Sequence, residues 1–396
     1  MKKNMNIIYL LICALFACSK TNTSGSVLTY QCKLSFNDSS SLNPDAPKYQ
    51  RLLDQMTAAG VPGIMMSVHR PKRGIWLGSS GKADLASGIP ILPCNITRMG
   101  STVKTITATA IMKLKEEGKL KLENKVSDYL DASVLKDIAN ANLATIQQLL
   151  NHSSGIYNYI QNLHFQAASL NDLTKTWKPM ELLSYARKKS PYFAPGEDLR
   201  YSNTNYILLG MIIDTLTGKP FWKYFEEQLF RPLSMHSSAF AATDNVPKNI
   251  VRGYIDLYSN LNLTDATHYS GWDYFTADGG LISNVYDLNN FIRSLLNGEI
   301  ISQASVNQML SMRKPTVVDD SFFEMGYGLG IFEITTDWGP GYIHSGDAIG
   351  YYATMVYFPR TKTTIVWATN GNYGKIDNLI SAKAAMEKIF RTVLED

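Results

Sequence analysis

Residues 98–104 of the chain read Arg98-Met99-Gly100-Ser101-Thr102-Val103-Lys104. Ser101 and Lys104 are three residues apart, so on a helix their side chains lie on the same face and can touch. A serine hydroxyl becomes a nucleophile when a neighbouring group takes its proton, and a lysine with a partly neutral amine can do this. The stretch therefore predicts a two-residue catalytic unit at the start of a helix.

The sequence around Ser101 separates it from other serines with the same spacing to a lysine. Three further pairs share that spacing: Ser79/Lys82, Ser133/Lys136 and Ser311/Lys314. Only Ser101 both follows a glycine and opens a long helical pattern of apolar residues, for which Gly118 is a natural stop. A helix N-terminus favours a developing negative charge, so this context selects Ser101 as the nucleophile.

The composition is that of a globular protein with a sizeable core. The chain has 396 residues, of which 45% are hydrophobic and 18% are charged, and this length fits one large domain or a domain with an inserted subdomain. The formal charge of +4 falls to about +2 if Lys2 and Lys3 are removed with a signal segment. We expect no nucleic-acid partner, because no long basic run with interleaved aromatic residues occurs.

The first residues predict export to the bacterial cell envelope. Residues 1–17 carry Lys2 and Lys3 before a short apolar run, as in a signal peptide. They lead into Leu15-Phe16-Ala17-Cys18, which resembles a lipobox, whose cysteine is lipidated and becomes the new N-terminus. Cys18 is thus the predicted membrane anchor and residues 18–44 a flexible tether, with ordinary cleavage or a retained anchor as alternatives. We expect no other membrane span, since no later apolar run reaches the necessary length.

Two cysteines remain in the predicted mature domain, Cys32 and Cys94. They could form a disulfide in an oxidising compartment or remain two separate thiols, and the sequence leaves both open. No cysteine or histidine spacing typical of a metal site occurs, so we expect neither a metal nor another cofactor.

Strand patterns at both ends of the chain enclose a mostly helical middle. This order predicts an α/β domain over residues 45–396, in which both termini build one sheet and residues 119–300 form a helical insertion. The predicted helices are 46–60, a helix beginning at Ser101, 145–150, 206–216, 220–230, 287–296 and 376–394. The predicted strands are 61–69, 74–78, 328–334, 351–358 and 363–369.

Two further motifs carry residues suited to acyl transfer. Tyr201-Ser202-Asn203 lies between a Pro-Gly loop and an apolar helix, whereas its repeat at residues 258–260 lies in a polar loop, so we favour the first copy. A tyrosine beside a cation can shuttle protons, and an asparagine can bind a substrate carbonyl. His344-Ser345-Gly346 precedes a predicted strand, and it could contact substrate through its histidine, with a glycine that lets a backbone approach the ligand.

The order of these three motifs resembles the penicillin-recognising serine hydrolases, which include class C β-lactamases, D-alanyl-D-alanine carboxypeptidases and related esterases. The resemblance covers roughly residues 45–395 and implies a β-lactamase-like fold with an antiparallel sheet. Three other stretches are similar to the family: 117–122, 149–155 and 277–283.

The resemblance also implies a role for each motif residue. Ser101 is the nucleophile, Lys104 or Tyr201 is the base, and Tyr201 can also shuttle a proton. Asn203, His344 and Gly346 bind substrate, and Asn203 also orients Lys104. The backbone N–H groups of Ser101 and Asp347 form the oxyanion hole.

His344 occupies a position where class C β-lactamases usually carry lysine. A histidine that is mostly neutral at pH 7 suits a substrate carboxylate less well than a fixed ammonium. The sequence therefore favours a D-alanyl-D-alanine carboxypeptidase-like enzyme acting on small peptides. Alternatives are an esterase, an amidase or a weak β-lactamase, and a penicillin-binding sensor without turnover. The residues Tyr157, Tyr159 and Trp272 could line the pocket or belong to the core.

Overall fold

The computed structural model describes residues 30, 32, 34, 40–240, 250–269, 276–318 and 321–395. The predicted signal peptide, Cys18, most of the predicted tether and Trp272 lie outside these residues. The predicted boundaries of the tether and of the helical insertion stay predictions.

An eight-stranded antiparallel sheet organises the fold, in the order β3-β2-β1-β13-β12-β11-β10-β9. Its first three strands come from the N-terminal part and the other five from the C-terminal part, which confirms the predicted fold. The strands of this sheet are β1 (Gly63–Arg70), β2 (Gly74–Asp84), β3 (Ile89–Pro90), β9 (Met325–Tyr327), β10 (Phe332–Thr336), β11 (Gly339–Ala348), β12 (Tyr351–Phe358) and β13 (Thr363–Thr369). Two three-stranded sheets contain β4 (Thr97–Arg98), β5 (Ala239–Phe240), β6 (Tyr254–Ile255), β7 (Thr264–Asp265), β8 (Leu281–Ser283) and β14 (Gly371–Asn372).

Helices cover both faces of the large sheet. Those before the C-terminal strands are α1 (Ala46–Ala58), α2 (Val103–Glu116), α3 (Ala132–Leu135), α4 (Ile146–Leu150), α5 (Leu163–Asn171), α6 (Pro179–Ser184), α7 (Asn203–Thr217), α8 (Phe221–Phe225), α9 (Val285–Leu296) and α10 (Gln303–Met309). The chain closes with α11 (Asp377–Ile380) and α12 (Lys383–Leu394). Among the described residues, no helix is both long enough and apolar enough to cross a membrane.

The sheet separates two hydrophobic cores. Successive side chains of a strand point to opposite faces. In β13, Val366 accordingly packs in the core that contains α2, α7 and α9, while Trp367 packs in the core beneath α1 and α12. All eight residues of β12 are buried, which explains why its sequence is almost continuously apolar rather than alternating.

Several predicted boundaries differ from the structure. Of the predicted strand 328–334, only residues 332–334 are strand, because residues 328–331 form the turn between β9 and β10, in which Gly330 takes a left-handed backbone conformation (φ +69°). Pro220 precedes α8 instead of occupying its first position, and a π-helical turn, Glu226–Phe230, follows α8. The predicted final helix is interrupted between α11 and α12.

A disulfide joins Cys32 to Cys94, with their Cα atoms 5.8 Å apart. This resolves the alternative that the sequence left open. The bond attaches the segment before α1 to the loop that leads into β4.

Candidate active site

Ser101 lies in a tight turn that connects β4 to α2. Residues Gly100–Thr102 form one turn of 3₁₀ helix, and the α-helix begins at Val103, two residues later than predicted. Lys104 Nζ donates a hydrogen bond to Ser101 Oγ over 2.9 Å. The structure thus brings together the two residues of the predicted catalytic unit.

Lys104 is completely buried, which is unusual for an amine. Its Nζ also donates to the backbone carbonyl of Asp278 and lies 5.1 Å from the centre of the Tyr201 ring and 5.6 Å from that of Tyr206. Burial lowers the pKa of Lys104 to about 7, although the Asp278 carboxylate acts in the opposite direction. Near neutral pH a large fraction of this amine is therefore unprotonated and can accept a proton.

Asp278 is a buried acid beside Lys104, and the sequence assigned no role to this acid. Thr107 Oγ1 on α2 donates to the neighbouring Ala277 carbonyl over 2.8 Å, and Tyr159 donates to Asp278 Oδ2 over 3.1 Å. Burial raises the pKa of Asp278, while Lys104 lowers it. Its position in the glycine-rich stretch 277–283, which the sequence marked as similar to the family, was the available signal.

The segment 201–203 leads into α7 and presents Tyr201 and Asn203 to the same cleft as Ser101. Burial raises the pKa of the Tyr201 phenol, while a hydrogen bond with Ser101 opposes that rise, so the phenol stays protonated at neutral pH. Asn203 lines the cleft. The described hydrogen-bond partners of Lys104 Nζ are Ser101 Oγ and the Asp278 backbone carbonyl, not the Asn203 side chain that was expected to orient Lys104. The repeat of the motif at residues 258–260 lies in the turn between β6 and β7, with Tyr258 exposed.

His152 holds the Tyr201 segment in place. Its Nδ1 accepts a hydrogen bond from the Ser202 backbone N–H over 3.1 Å, and its ring centre lies 4.4 Å from that of Tyr201. The loop after α4 also binds the start of α7, because Asn158 Oδ1 accepts the Asn203 N–H over 3.1 Å. Burial lowers the pKa of His152 well below its usual range, so it acts as a neutral positioning group.

His344 and Gly346 belong to β11, a strand that the sequence did not predict because its first half is rich in glycine and proline. His344 is buried and lines the cleft, and its Nδ1 contacts the Ser345 carbonyl oxygen over 2.7 Å. Burial and the nearby Lys104 lower the pKa of His344 to about 3. The side chain is therefore neutral at physiological pH, and it supplies no positive charge to a ligand.

Two glycines allow β11 to touch the turn that carries Ser101. A Cβ on Gly346 would lie 2.1 Å from the Met99 carbonyl oxygen and 2.6 Å from the Ser101 nitrogen. A Cβ on Gly100, whose φ is +50°, would lie 2.8 Å from the Asp347 nitrogen. Larger residues would clash with backbone here, so glycine brings the nitrogens of Ser101 and Asp347 to neighbouring positions.

This arrangement has the parts of an oxyanion hole. In an antiparallel pair, alternate residues direct both backbone groups to the same neighbouring strand. Ala348 and Tyr351 flank a two-residue turn, so they are the pair that exchanges hydrogen bonds between β11 and β12. Asp347 precedes Ala348, and its N–H and C=O are therefore directed away from β12. Both atoms indeed lie against Gly100. The predicted pair of donors, Ser101 and Asp347, is thus placed at one end of the cleft.

The cleft has a volume of about 510 Å³ and a largely apolar lining. Besides Ser101, Tyr201, Asn203 and His344, the described lining residues include Ile160, Phe322, Met325, Tyr327, Phe332 and Tyr352. The sequence did not identify this aromatic wall, because its members come from separate strands and loops. Among the described residues, no group of three or more acidic, histidine or cysteine side chains could hold a metal ion.

Tyr157 and Tyr159, two of the three aromatic residues that the sequence suggested as pocket lining, lie outside the described lining of the cleft. Tyr159 is buried in the core and bonds Asp278, and Tyr157 packs against Tyr192 with ring centres 5.6 Å apart. Neither is among the described residues that line the cleft. Ile160, which follows Tyr159, reaches the cleft instead.

The family model described as "Beta-lactamase" matches residues 49–385, a range that contains every described lining residue of the cleft except Met386. The chain belongs to the β-lactamase family. Similar family members include Protein flp of Staphylococcus aureus (strain N315), 26% identical over 323 residues, which cover 81% of this chain and 62% of that protein. The chain thus spans less than two thirds of the length of such relatives. Penicillin-binding protein 4 of Amycolatopsis lactamdurans is 26% identical over 305 residues, covering 74% of this chain and 77% of that protein.

Solved structures agree with this membership. A D-stereospecific amidohydrolase from Streptomyces sp. has a TM-score of 0.76 and 28% identity, covering 88% of this chain and 98% of that one. The D-amino acid amidase of Ochrobactrum anthropi SV3, in complex with L-phenylalanine amide, has the same TM-score at 23% identity, covering 88% and 97% of the two chains. At that identity the second likeness concerns the fold alone.

Proposed function

We propose that this family member hydrolyses amide bonds adjacent to a D-amino acid through an acyl-enzyme on Ser101. The observation that carries the proposal is the contact of 2.9 Å between Ser101 Oγ and a completely buried Lys104 whose pKa is about 7. An amine at that pKa can act as a base near neutral pH, which a solvent-exposed lysine cannot.

The geometry favours Lys104 over Tyr201 as the base for acylation. The neutral Lys104 amine accepts the Ser101 hydroxyl proton while Oγ forms a bond to the substrate carbonyl carbon. The backbone N–H groups of Ser101 and Asp347 stabilise the negative charge on the carbonyl oxygen. Tyr201, which stays protonated, passes a proton to the leaving nitrogen as the C–N bond breaks and regains one from the Lys104 ammonium. Water then attacks the ester and releases the acid and Ser101.

The proposed substrate class covers the carboxypeptidase that the sequence favoured and the amidase among its alternatives. Peptides ending in D-alanyl-D-alanine and amides of D-amino acids share an amide bond beside a D-configured carbon. The 28% identical amidohydrolase is described as D-stereospecific, which supports D-configured substrates here. Efficient β-lactam hydrolysis is a weaker proposal, because the neutral His344 provides no cation for the β-lactam carboxylate.

We further propose that the protein works in the bacterial cell envelope, attached through a lipid on Cys18. The disulfide between Cys32 and Cys94 supports export, because such bonds persist in oxidising compartments and are rare in the cytosol. Metabolic labelling with a palmitate analogue tests the anchor, and the label should be absent from Cys18→Ala.

The catalytic proposal is tested with wild type and Ser101→Ala on a panel of substrates. The panel contains N-acetyl-D-alanyl-D-alanine, D-alaninamide, its L-isomer and a p-nitrophenyl ester. Turnover of D- but not L-amides, lost in Ser101→Ala, is the expected result. A wild type that cleaves none of these and is not labelled by fluorescent penicillin refutes the proposal. A stable penicillin adduct without any turnover would instead favour a sensor.

A further inference from the structure

The part of β11 beside Ser101 has no β10 residues paired with it. β10 pairs with β11 only as far as the Phe332–Ile343 pair, so residues 344–348 extend beyond it. The cleft therefore continues around this edge, and its lining includes side chains from both faces of β11.

The two faces of this edge differ in what they present. Side chains alternate along a strand, and Ile343 packs beneath α1 and α12 while Ala348 packs in the other core. Ser345 and Asp347 therefore lie on the same face as Ile343. Four other residues that line the cleft are grouped with these two. We call the six together the Asp347 pocket: Ser345, Asp347, Tyr352, Tyr373, Ser381 and Met386.

Asp347 gives the Asp347 pocket a negative charge, and Arg98, the cation that acts on Tyr373, lies outside the described lining. Asp347 lines the cleft, and burial raises its pKa to about 6; the nearby Asp377 acts in the same direction and a hydrogen bond with Asn372 opposes the rise. It is therefore mostly ionised above pH 7. The described residues that line the cleft include no lysine or arginine. A ligand carboxylate would find only hydroxyl donors there, such as Ser345, and it would face Asp347.

His344, on the opposite face of the same edge, has no N–H group that could donate into the cleft. Its Nδ1–H donates to the Ser345 carbonyl over 2.7 Å, which leaves a lone pair on Nε2. Nε2 is buried and has no hydrogen-bond partner among the described residues. His344 therefore offers no hydrogen-bond donor to a ligand carboxylate. Asp347 on one face of β11 and His344 on the other thus favour a ligand group that donates hydrogen bonds over a ligand carboxylate.

We infer that Asp347 makes the enzyme select against a carboxylate on the leaving group and in favour of a neutral amide or an ammonium there. This inference rests on the proposed function, and it favours D-amino acid amides over peptides that end in D-alanyl-D-alanine. The backbone N–H of Asp347 belongs to the predicted oxyanion hole, so its side chain lies within roughly one residue's length of the scissile carbonyl. Charges at such a separation near a protein surface change binding by about tenfold or more.

A matched series of substrates tests this inference at pH 8. All three have N-acetyl-D-alanine as the acyl group, and the leaving amines are D-alanine, D-alaninamide and ethylenediamine, which carry a negative, neutral and positive charge. The expected order of kcat/KM is ethylenediamine, then D-alaninamide, then D-alanine, with about tenfold or more between the last two. Asp347→Asn keeps the backbone N–H and is expected to reduce that ratio to about threefold or less.

Two further variants make the outcome specific. Glu123→Gln removes one exposed negative charge outside the described cleft lining and should leave the ratio unchanged. Asp377→Asn should lower the ratio less than Asp347→Asn does, which provides a second measurement if the latter misfolds. A wild type that prefers the carboxylate, or a ratio that both aspartate variants leave unchanged, overturns the inference. Ser101-dependent cleavage of a neutral ester in that case would leave the proposed function intact.

Discussion

The pH dependence of acylation offers a direct test of the site's electrostatics. Neutral Lys104 is the proposed base, so kcat/KM should rise with pH as this amine loses its proton, with a midpoint near its pKa of about 7. Asp278 favours the protonated form of Lys104. Replacing Asp278 by asparagine removes this charge, so the pKa of Lys104 should fall and the rise in activity should occur at lower pH.

The size of the shift follows from the distance between the two charges. Lys104 Nζ bonds the Asp278 backbone carbonyl, so the carboxylate of the same residue lies roughly 6 Å away. Unit charges at that separation interact by about 3 kcal/mol at an effective dielectric constant of about 20. That energy is equivalent to about two pKa units as an upper limit. We therefore expect the midpoint to fall by about one to two pH units.

The assay is the initial rate of cleavage of a neutral p-nitrophenyl ester between pH 4.5 and 9. Neither this substrate nor its reacting carbonyl titrates in that range, so the profile reports groups of the enzyme. Thr107→Val is the control, because it removes the hydroxyl that bonds the Ala277 carbonyl without changing any charge. An unchanged or raised midpoint in Asp278→Asn would refute the assignment of Lys104 as the base beside an ionised Asp278.

Three further predictions concern neighbouring residues. Lys104→Met combined with Asp278→Asn should abolish turnover yet stabilise the fold by up to a few kcal/mol at neutral pH, measured by urea unfolding, since it removes both members of a buried charge pair. The pKa of Lys104 is about 7 in the folded state and 10.5 in the unfolded state, so between these pH values the unfolded wild type binds more protons than the folded one. The free energy of unfolding of the wild type should therefore rise across that window, whereas that of the variant should not. Gly346→Ala should lower kcat by about 10²–10³ because its Cβ would displace β11 from the Ser101 nitrogen, while Gly341→Ala, whose Cβ would meet only side chains, at 3.2–3.3 Å, should retain most activity. His152→Ala should lower kcat about tenfold with little change in the pH midpoint, because it positions Tyr201 and carries no charge; a shifted midpoint would contradict this role.

The sequence predicted the contact between Ser101 and Lys104 better than it predicted the cleft. Ser101 and Lys104 were identifiable because their contact depends on helical spacing, which is local. The strands β12 and β13 were also predicted with correct boundaries, since each is a continuous apolar run between turn residues. These features require no knowledge of how distant segments pack.

What the sequence could not supply depends on long-range contacts. Asp278 lies 174 residues from Lys104, and nothing local to either residue indicates that the two meet. β11 was missed because Gly339, Pro340 and Gly341 disfavour a strand, yet pairing with β10 and β12 on both sides overrides that preference. The consequence is functional, because this strand carries His344, Gly346 and Asp347.

The position of the cleft follows from the unequal lengths of β10 and β11. If β10 began before Phe332, those earlier residues would pair with the backbone of Gly346 and Asp347 and occupy the space that the Ser101 turn now takes. Because β10 begins only at Phe332, this edge of β11 meets that turn instead, and the Asp347 N–H lies beside Ser101. The same edge exposes the Asp347 side chain to the cleft, so one residue contributes a donor for the transition state and a charge that bears on the leaving group. A substitution at Asp347 should therefore change selectivity between leaving groups more than it changes the chemistry at Ser101, provided that the backbone keeps its course.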